Sequence, residues 1–210
     1  MKKIFLIFVL YFVIIFDILS QDTFVFNYGE IGVRENPMAL IENSNKDLIL
    51  LSYISSYYSD INSTDLICLN SCGQMINKKT FKNYRLDKIQ QIEDNYFVLG
   101  FFYEQDTASV AFMYLNSEFE IIQENLYPVP QFQVEDILES VVYSYFENNF
   151  YCIFNRISKN NNKSNSYYYI VTKNFDSLSC GTFANGATVY DIKPKHANDG
   201  FFITGMEFPF

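Results

Sequence analysis

The chain has 210 residues, a net charge of −9, and an aromatic content of 19% made up of 22 Phe and 17 Tyr with no Trp. The acidic balance excludes nucleic acid as a partner class, because binding phosphate backbones needs a basic face that releases counterions, and it disfavours anionic membrane surfaces for the same reason. The length allows one domain with a substantial core.

The chain opens with Lys2 and Lys3, then an unbroken apolar run over residues 4–16, then Asp17 and a small residue at Ser20. A basic start, an apolar centre and a small residue before the cut describe a signal peptide over residues 1–20. The run is shorter than the roughly 20 residues that span a hydrocarbon core. Cleavage leaves 13 basic and 23 acidic residues and a net charge of −10. The mature segment 21–210 is expected to be exported (secreted, periplasmic or on the cell surface) and to carry no transmembrane span. Its first residues, 22–29 (DTFVFNYG), read as an orphan outer strand.

A spaced echo then organises the chain: residues 47–52 (DLILLS), 95–100 (NYFVLG), 149–154 (NFYCIF) and 200–205 (GFFITG), whose last positions lie 48, 54 and 51 residues apart. A period near fifty in a strand pattern signals stacked β-sheet units. A second anchor follows each of the first three copies, at residues 66–76 (LICLNSCGQMI), 112–122 (FMYLNSEFEII) and, more diverged, 169–178 (YIVTKNFDSL). The anchors sit 17, 15 and 18 residues past their apolar strands, so the two move together. Each unit therefore reads as four short strands. An inner strand such as 88–92 turns at 93–95 into a nearly continuous apolar strand that must be buried on both faces. A polar loop, a third strand, a tight Asn/Ser/Gly turn and an outer strand such as 120–127 follow. The units fall at about 38–82, 86–128 and 137–185, with a partial unit at 187–210. Residues 134–141 form an ambiguous strand start, and the polar run 158–166 reads as a flexible loop.

The pattern of an Asp/Asn turn, an aromatic–aliphatic strand ending in Gly, a Leu-Asn-Ser turn and an Ile-Ile outer strand resembles the blades of secreted bacterial β-propeller repeat proteins, over residues 22–210. The third unit departs from it, with Phe154 where the second and fourth have Gly100 and Gly205. The resemblance implies an all-β, propeller-like stack of four-stranded antiparallel blades. About three and a half blades fit the chain, against roughly four to eight in a closed ring. An open or truncated stack lacking C-terminal blades, a compact four-blade closure, or a half completed by a homo-oligomer partner all satisfy that count. The implied function is a non-catalytic one that presents a surface to a protein or glycan. The alternative is a fragment or accessory domain of an exported hydrolase whose catalytic residues lie outside the chain.

Chemistry is sparse. His196, the one histidine, sits in a turn-like KPKHANDG segment with Asp199 as its nearest acid. Glu93/Asp94 and Glu135/Asp136 are adjacent pairs, which on a strand point to opposite faces and cannot flank one bond. Asp60, Asn62, Thr64 and Asp65 supply oxygens at spacings that suit a calcium loop, although the Gly and the distal Glu of an EF-hand are missing. Cys68 and Cys72 straddle a turn and are a candidate disulfide, buried or turn thiols being the alternative for these and for Cys152 and Cys180. Tyr57 and Tyr58, at a strand-to-loop exit, are candidate contacts for a protein or sugar surface. No cofactor other than calcium is suggested.

Overall fold

The computed structural model describes residues 33–56, 62–139, 141–159, 163–195 and 200–207. They form four antiparallel sheets that follow one another along the chain. The first contains β1 (Val33–Glu42), β2 (Leu48–Ser56), β3 (Asn62–Leu69) and β4 (Met75–Lys82), paired in that order. The second contains β5 (Tyr84–Ile92), β6 (Asn95–Glu104), β7 (Thr107–Leu115) and β8 (Ile121–Pro128). The third has β9 (Ile137–Leu138), β10 (Val142–Phe146), β11 (Asn149–Ser158), β12 (Lys163–Thr172) and β13 (Ser177–Asn185), with β9 and β10 both pairing to β11. The fourth is the single hairpin β14 (Ala187–Pro194) and β15 (Phe201–Glu207). Among the described residues no helix is long and apolar enough to cross a membrane.

Two sequence expectations shift. The polar run read as a loop over 158–166 is mostly strand, since Ser158 ends β11 and β12 starts at Lys163. Ser164 and Ser166 are buried there, held by hydrogen bonds that a solvated loop would not need. The supposed calcium loop is also strand from Asn62 onward.

Successive sheets pack face to face, and the period-two alternation of strand side chains decides which neighbour each residue meets. On β6, Tyr96 and Val98 join Ile49, Leu51 and Leu66 of the first sheet in one core cluster. Phe97, Leu99 and Phe101 point the other way, into a second cluster with Phe150, Cys152 and Phe154 of the third sheet. The rings of Phe97 and Phe150 stack with centroids 4.0 Å apart. The tyrosine run divides likewise: Tyr167 and Tyr169 face the second sheet, and Tyr168 packs with Val189 and Ile192 of the fourth.

Each inner strand carries one extra residue at the same place. The register skips Met38 in β1, Asp87 in β5 and Tyr190 in β14, and the break from Leu138 to Val142 likewise sets four steps against three on β11. Such a β-bulge bends the strand and re-aims a side chain. Opposite each bulge lies the last residue of the echo or its neighbour: Ser52, Gly100, Phe154 and Gly205. This explains two of the glycines. A Cβ on Gly100 would stand 2.2 Å from the Arg85 carbonyl oxygen, and one on Gly205 would stand 2.3 Å from that of Thr188. In the third sheet the inner strand is interrupted opposite Phe154, and a large side chain is accommodated there.

The hairpin turns repeat as well. Asn43, Asn70 and Asn116 each accept two backbone N–H bonds through Oδ1, and Thr172 does the same through its hydroxyl. Three residues later the chain enters the left-handed region, at Lys46, Gly73, Phe119 and Phe175, with φ of 69°, 78°, 64° and 62°. The diverged third anchor is thus the same turn, with a hydroxyl in place of the Asn amide. Phe119 and Phe175 are buried in the two main clusters. The strain of about 1–2 kcal/mol at such a position is offset by roughly 1.5–3 kcal/mol from burying a phenylalanine.

The glycine at the bulge gives a direct test. Gly100→Ala is expected to lower unfolding stability by about 3 kcal/mol in urea denaturation, because its methyl meets backbone. In Gly181→Ala the methyl would lie 3.1 Å from the edge of the Tyr168 ring, a side chain able to give, so under about 1 kcal/mol is expected there.

Candidate binding cleft

The polar side chains buried between sheets converge on the bulges. Asp87, 1% exposed, is the extra residue of the β5 bulge. Its Oδ1 accepts from Arg85 Nε at 3.0 Å, and its Oδ2 accepts from the backbone N–H of Val141, in the bulge of the third sheet, at 3.2 Å. Arg85 in turn donates through Nη1 to the Leu138 carbonyl at 2.6 Å and lies over the rings of Tyr53 and Phe101. Burial pushes the Asp87 carboxyl up, opposed by the Arg85 charge and the Val141 N–H.

The same device recurs at the other two junctions with different residues. Between the first and second sheets, the Thr64 hydroxyl donates to the Tyr84 carbonyl and accepts from Leu86 N–H, both at 2.9 Å. Between the third and fourth, Asn155 pairs its amide with the peptide of Val189, donating at 2.9 Å and accepting at 3.0 Å. Ser166 adds a bond to the Ala187 carbonyl at 2.8 Å.

Among the described residues the fourth sheet has two strands where the others have four or five. Its two strands cover one side of the third sheet through Val189 and Ile192, which meet Val142 and Ile153. Beside them lies an apolar cavity of about 210 Å³, walled by Tyr168, Ile170 and Phe183 of the third sheet and by Ile192, Phe201 and Ile203 of the fourth. Phe183 and Ile203 are partly exposed there. In the first three sheets the second strand pairs a third, but among the described residues nothing pairs the second edge of β15.

The residues singled out from sequence are placed as follows. Tyr57, Tyr58 and Asp60 lie outside the described residues, as does His196. Thr64 and Asp65 are neighbours on β3 and face opposite sides, so they do not converge on one cation. Thr64 binds β5 as above, and the buried Asp65 carboxylate meets Lys78 at 2.8 Å and the Thr80 hydroxyl at 2.6 Å. Among the described residues no cluster of His, Cys, Asp and Glu is arranged to hold a metal. All four cysteines are free thiols, Cys68 and Cys152 buried and Cys72 and Cys180 exposed, so the Cys68–Cys72 bridge is not formed. Cys68 points into the first core cluster while Cys72 sits on the outside of the turn. Burial pushes both buried thiols up and keeps them unreactive. Glu93 and Asp94 are exposed in a turn. Asp136 departs from the solvated reading: its side chain, 3% exposed, lies 3.7 Å from Arg156 and accepts from Gln133 N–H.

Sequence reasoning missed the Arg85–Asp87 pair. The available signal was a cation and an acid two positions apart, hence on one face, inside a strand of otherwise alternating pattern. No family model matches the chain, and no curated protein matches it.

Two predictions follow from this geometry. Asp87→Ala strands the Arg85 guanidinium beside apolar rings and is expected to cost about 3–5 kcal/mol, whereas the double variant Arg85→Met/Asp87→Leu recovers most of it; chemical denaturation of the three proteins checks this. Burial also pushes the phenols of Tyr114, Tyr143 and Tyr169 up to about 12 from an ordinary 10.0. In an unfolded chain those phenols ionise first, so the stability they contribute is complete below pH 10 and is lost as pH rises through about 12. Denaturation midpoints are therefore expected to fall steadily from pH 9.5 to 11.5, and less steeply in Tyr143→Phe.

Proposed function

We propose that this chain is an exported, non-catalytic repeat protein of the β-propeller type that captures a protein partner by strand addition at the free edge of β15. The observation that carries the reading is that the edge of β15, unpaired among the described residues, coincides with the apolar cavity between the third and fourth sheets. An unpaired edge offers a row of backbone donors and acceptors that template an added strand. The alternate side chains of such a strand find apolar pockets beside it, which is how strand-addition modules combine affinity with specificity.

The propeller reading is supported by repetition: an inner bulge and face-to-face packing recur in all four sheets, and a turn capped by an Asn or Thr side chain recurs in the first three. Their residues differ while their backbone geometry is the same. A non-catalytic role accords with the use made of the buried polar groups. Asp87, Arg85, Thr64 and Asn155 are all engaged in joining sheets.

Ten-residue peptides with alternating apolar and polar residues, titrated calorimetrically into the mature chain, test the proposal. Micromolar binding is expected, with at least a tenfold loss when the same residues are scrambled out of alternation. Phe201→Asp and Ile203→Asp, each placing a charge in the cavity on a partly exposed strand, should abolish it while far-ultraviolet dichroism stays unchanged. Equal affinity for the scrambled peptides, or for these variants, would overturn the strand-addition reading.

A further inference from the structure

A second cleft, of about 400 Å³, opens along the inner strands of the last three sheets, where β5, β10 and β14 lie side by side. Its character is opposite to that of the apolar cavity. Lys88 comes from β5, Ser144 and Tyr145 from β10, and Tyr190, Asp191 and Lys193 from β14. Two ammonium groups against one carboxylate make this a locally cationic spot on a chain whose net charge is −9. Asp191 and Lys193 are 3.8 Å apart and well exposed, a geometry of little net stabilising value.

The bulge of β14 supplies the aromatic wall. Its extra residue is Tyr190, at the position that Asp87 holds in the second sheet. There the re-aimed side chain is buried as a strut between sheets. Here the same backbone device leaves a phenol 54% exposed on the cleft. Tyr145, 37% exposed, lies on the β10 side. Gln90, also on the lining, accepts from the Tyr143 hydroxyl at 2.7 Å through Oε1, which leaves its Nε2 hydrogens to donate outward.

We infer that this cleft is a binding site for an acidic saccharide, a short oligomer whose sugar rings carry carboxylates. Tyrosine faces stack on the C–H faces of pyranose rings and present a polar tip at the same time. The lysines pair with the carboxylate as charge-assisted donors. The Gln90 amide, the Ser144 hydroxyl and the Asp191 carboxylate divide donor and acceptor roles among the ring hydroxyls. The volume is in the range of clefts that enclose one or two rings. A neutral sugar would leave the lysines unused, and a wholly apolar ligand would match Val142, Ile192 and the tyrosine rings but not Lys88, Gln90, Ser144, Asp191 and Lys193.

Trigalacturonate is the probe, titrated into the mature chain by calorimetry at low ionic strength, with the neutral trigalactose and a hexose 6-phosphate as comparison arms. Binding with a Kd of about 1 mM or below is expected, at least tenfold tighter than either comparison ligand. Lys88→Gln and Lys193→Gln should each weaken it at least threefold and Tyr190→Ala at least fivefold. All three residues are partly or largely exposed, so these variants keep the native dichroism spectrum. Phe201→Asp, which disables the strand-addition groove, should leave trigalacturonate binding intact, so failure of one site is distinguishable from failure of the other. The inference is overturned by no binding at 5 mM, by equal binding of trigalactose, by preference for the sugar phosphate, or by an unchanged Kd in Lys88→Gln/Lys193→Gln.

Discussion

The close approach of inner strand to second strand at each bulge is the constraint from which the rest of the structure follows. One extra residue in the inner strand pushes its backbone toward the neighbour, so that at Gly100 and Gly205 no Cβ fits. That displacement leaves peptide groups near the bulge without their ladder partners. Buried peptide groups must be satisfied, and here an adjoining sheet satisfies them. Val141 N–H goes to Asp87, Val189 goes to Asn155, and Leu86 N–H goes to Thr64. Each sheet is thereby fastened to the next by hydrogen bonds at one defined height. The apolar side chains above and below then have a fixed register in which to interdigitate.

This division of labour explains why the polar joints vary while the geometry holds. A bulge presents an N–H and a C=O, and a hydroxyl, an amide or a carboxylate with its arginine can each serve them. Of the three solutions, the Arg85–Asp87 pair is the costliest to desolvate. It is compensated by rings of Tyr53 and Phe101 beneath the guanidinium and by two backbone partners. In the fourth sheet the extra residue is instead a tyrosine facing a cleft. One local backbone feature thus serves cohesion in one unit and surface in another.

Both proposed binding sites lie at the fourth sheet. The first three sheets bury the faces they turn to one another, and the bulge residue Asp87 is consumed in joining the second sheet to the third. Among the described residues the two-stranded fourth sheet leaves an edge, an apolar cavity and a tyrosine-lined cleft in one neighbourhood.

Much of the frame was legible in the residues themselves. Continuous apolar strands such as 95–104 announce burial on both faces, and Asn-Ser turns announce hairpins, because both signals are local in sequence. Less visible was the equivalence of Thr172 to the turn asparagines, since a hydroxyl and an amide make the same two bonds from different letters. The polar run 158–166 misled for a related reason: Ser164 and Ser166 look like loop residues until a facing sheet supplies their partners. Of the candidate calcium residues, Thr64 and Asp65 are consecutive on β3 and so face opposite sides of the sheet, while Asp60 lies outside the described residues. By itself, then, the sequence determined strand alternation, turn positions and the fifty-residue period, all of which arise from contacts between near neighbours. Which strand would bulge toward which glycine, which carboxylate would be buried against which arginine, and where a cleft would remain were decided by tertiary structure. The bulge is a matter of how β5 pairs with β6, and the burial of Arg85 and Asp87 depends on Leu138 and Val141, some fifty residues away, whose desolvation and fit exist only once the sheets are stacked.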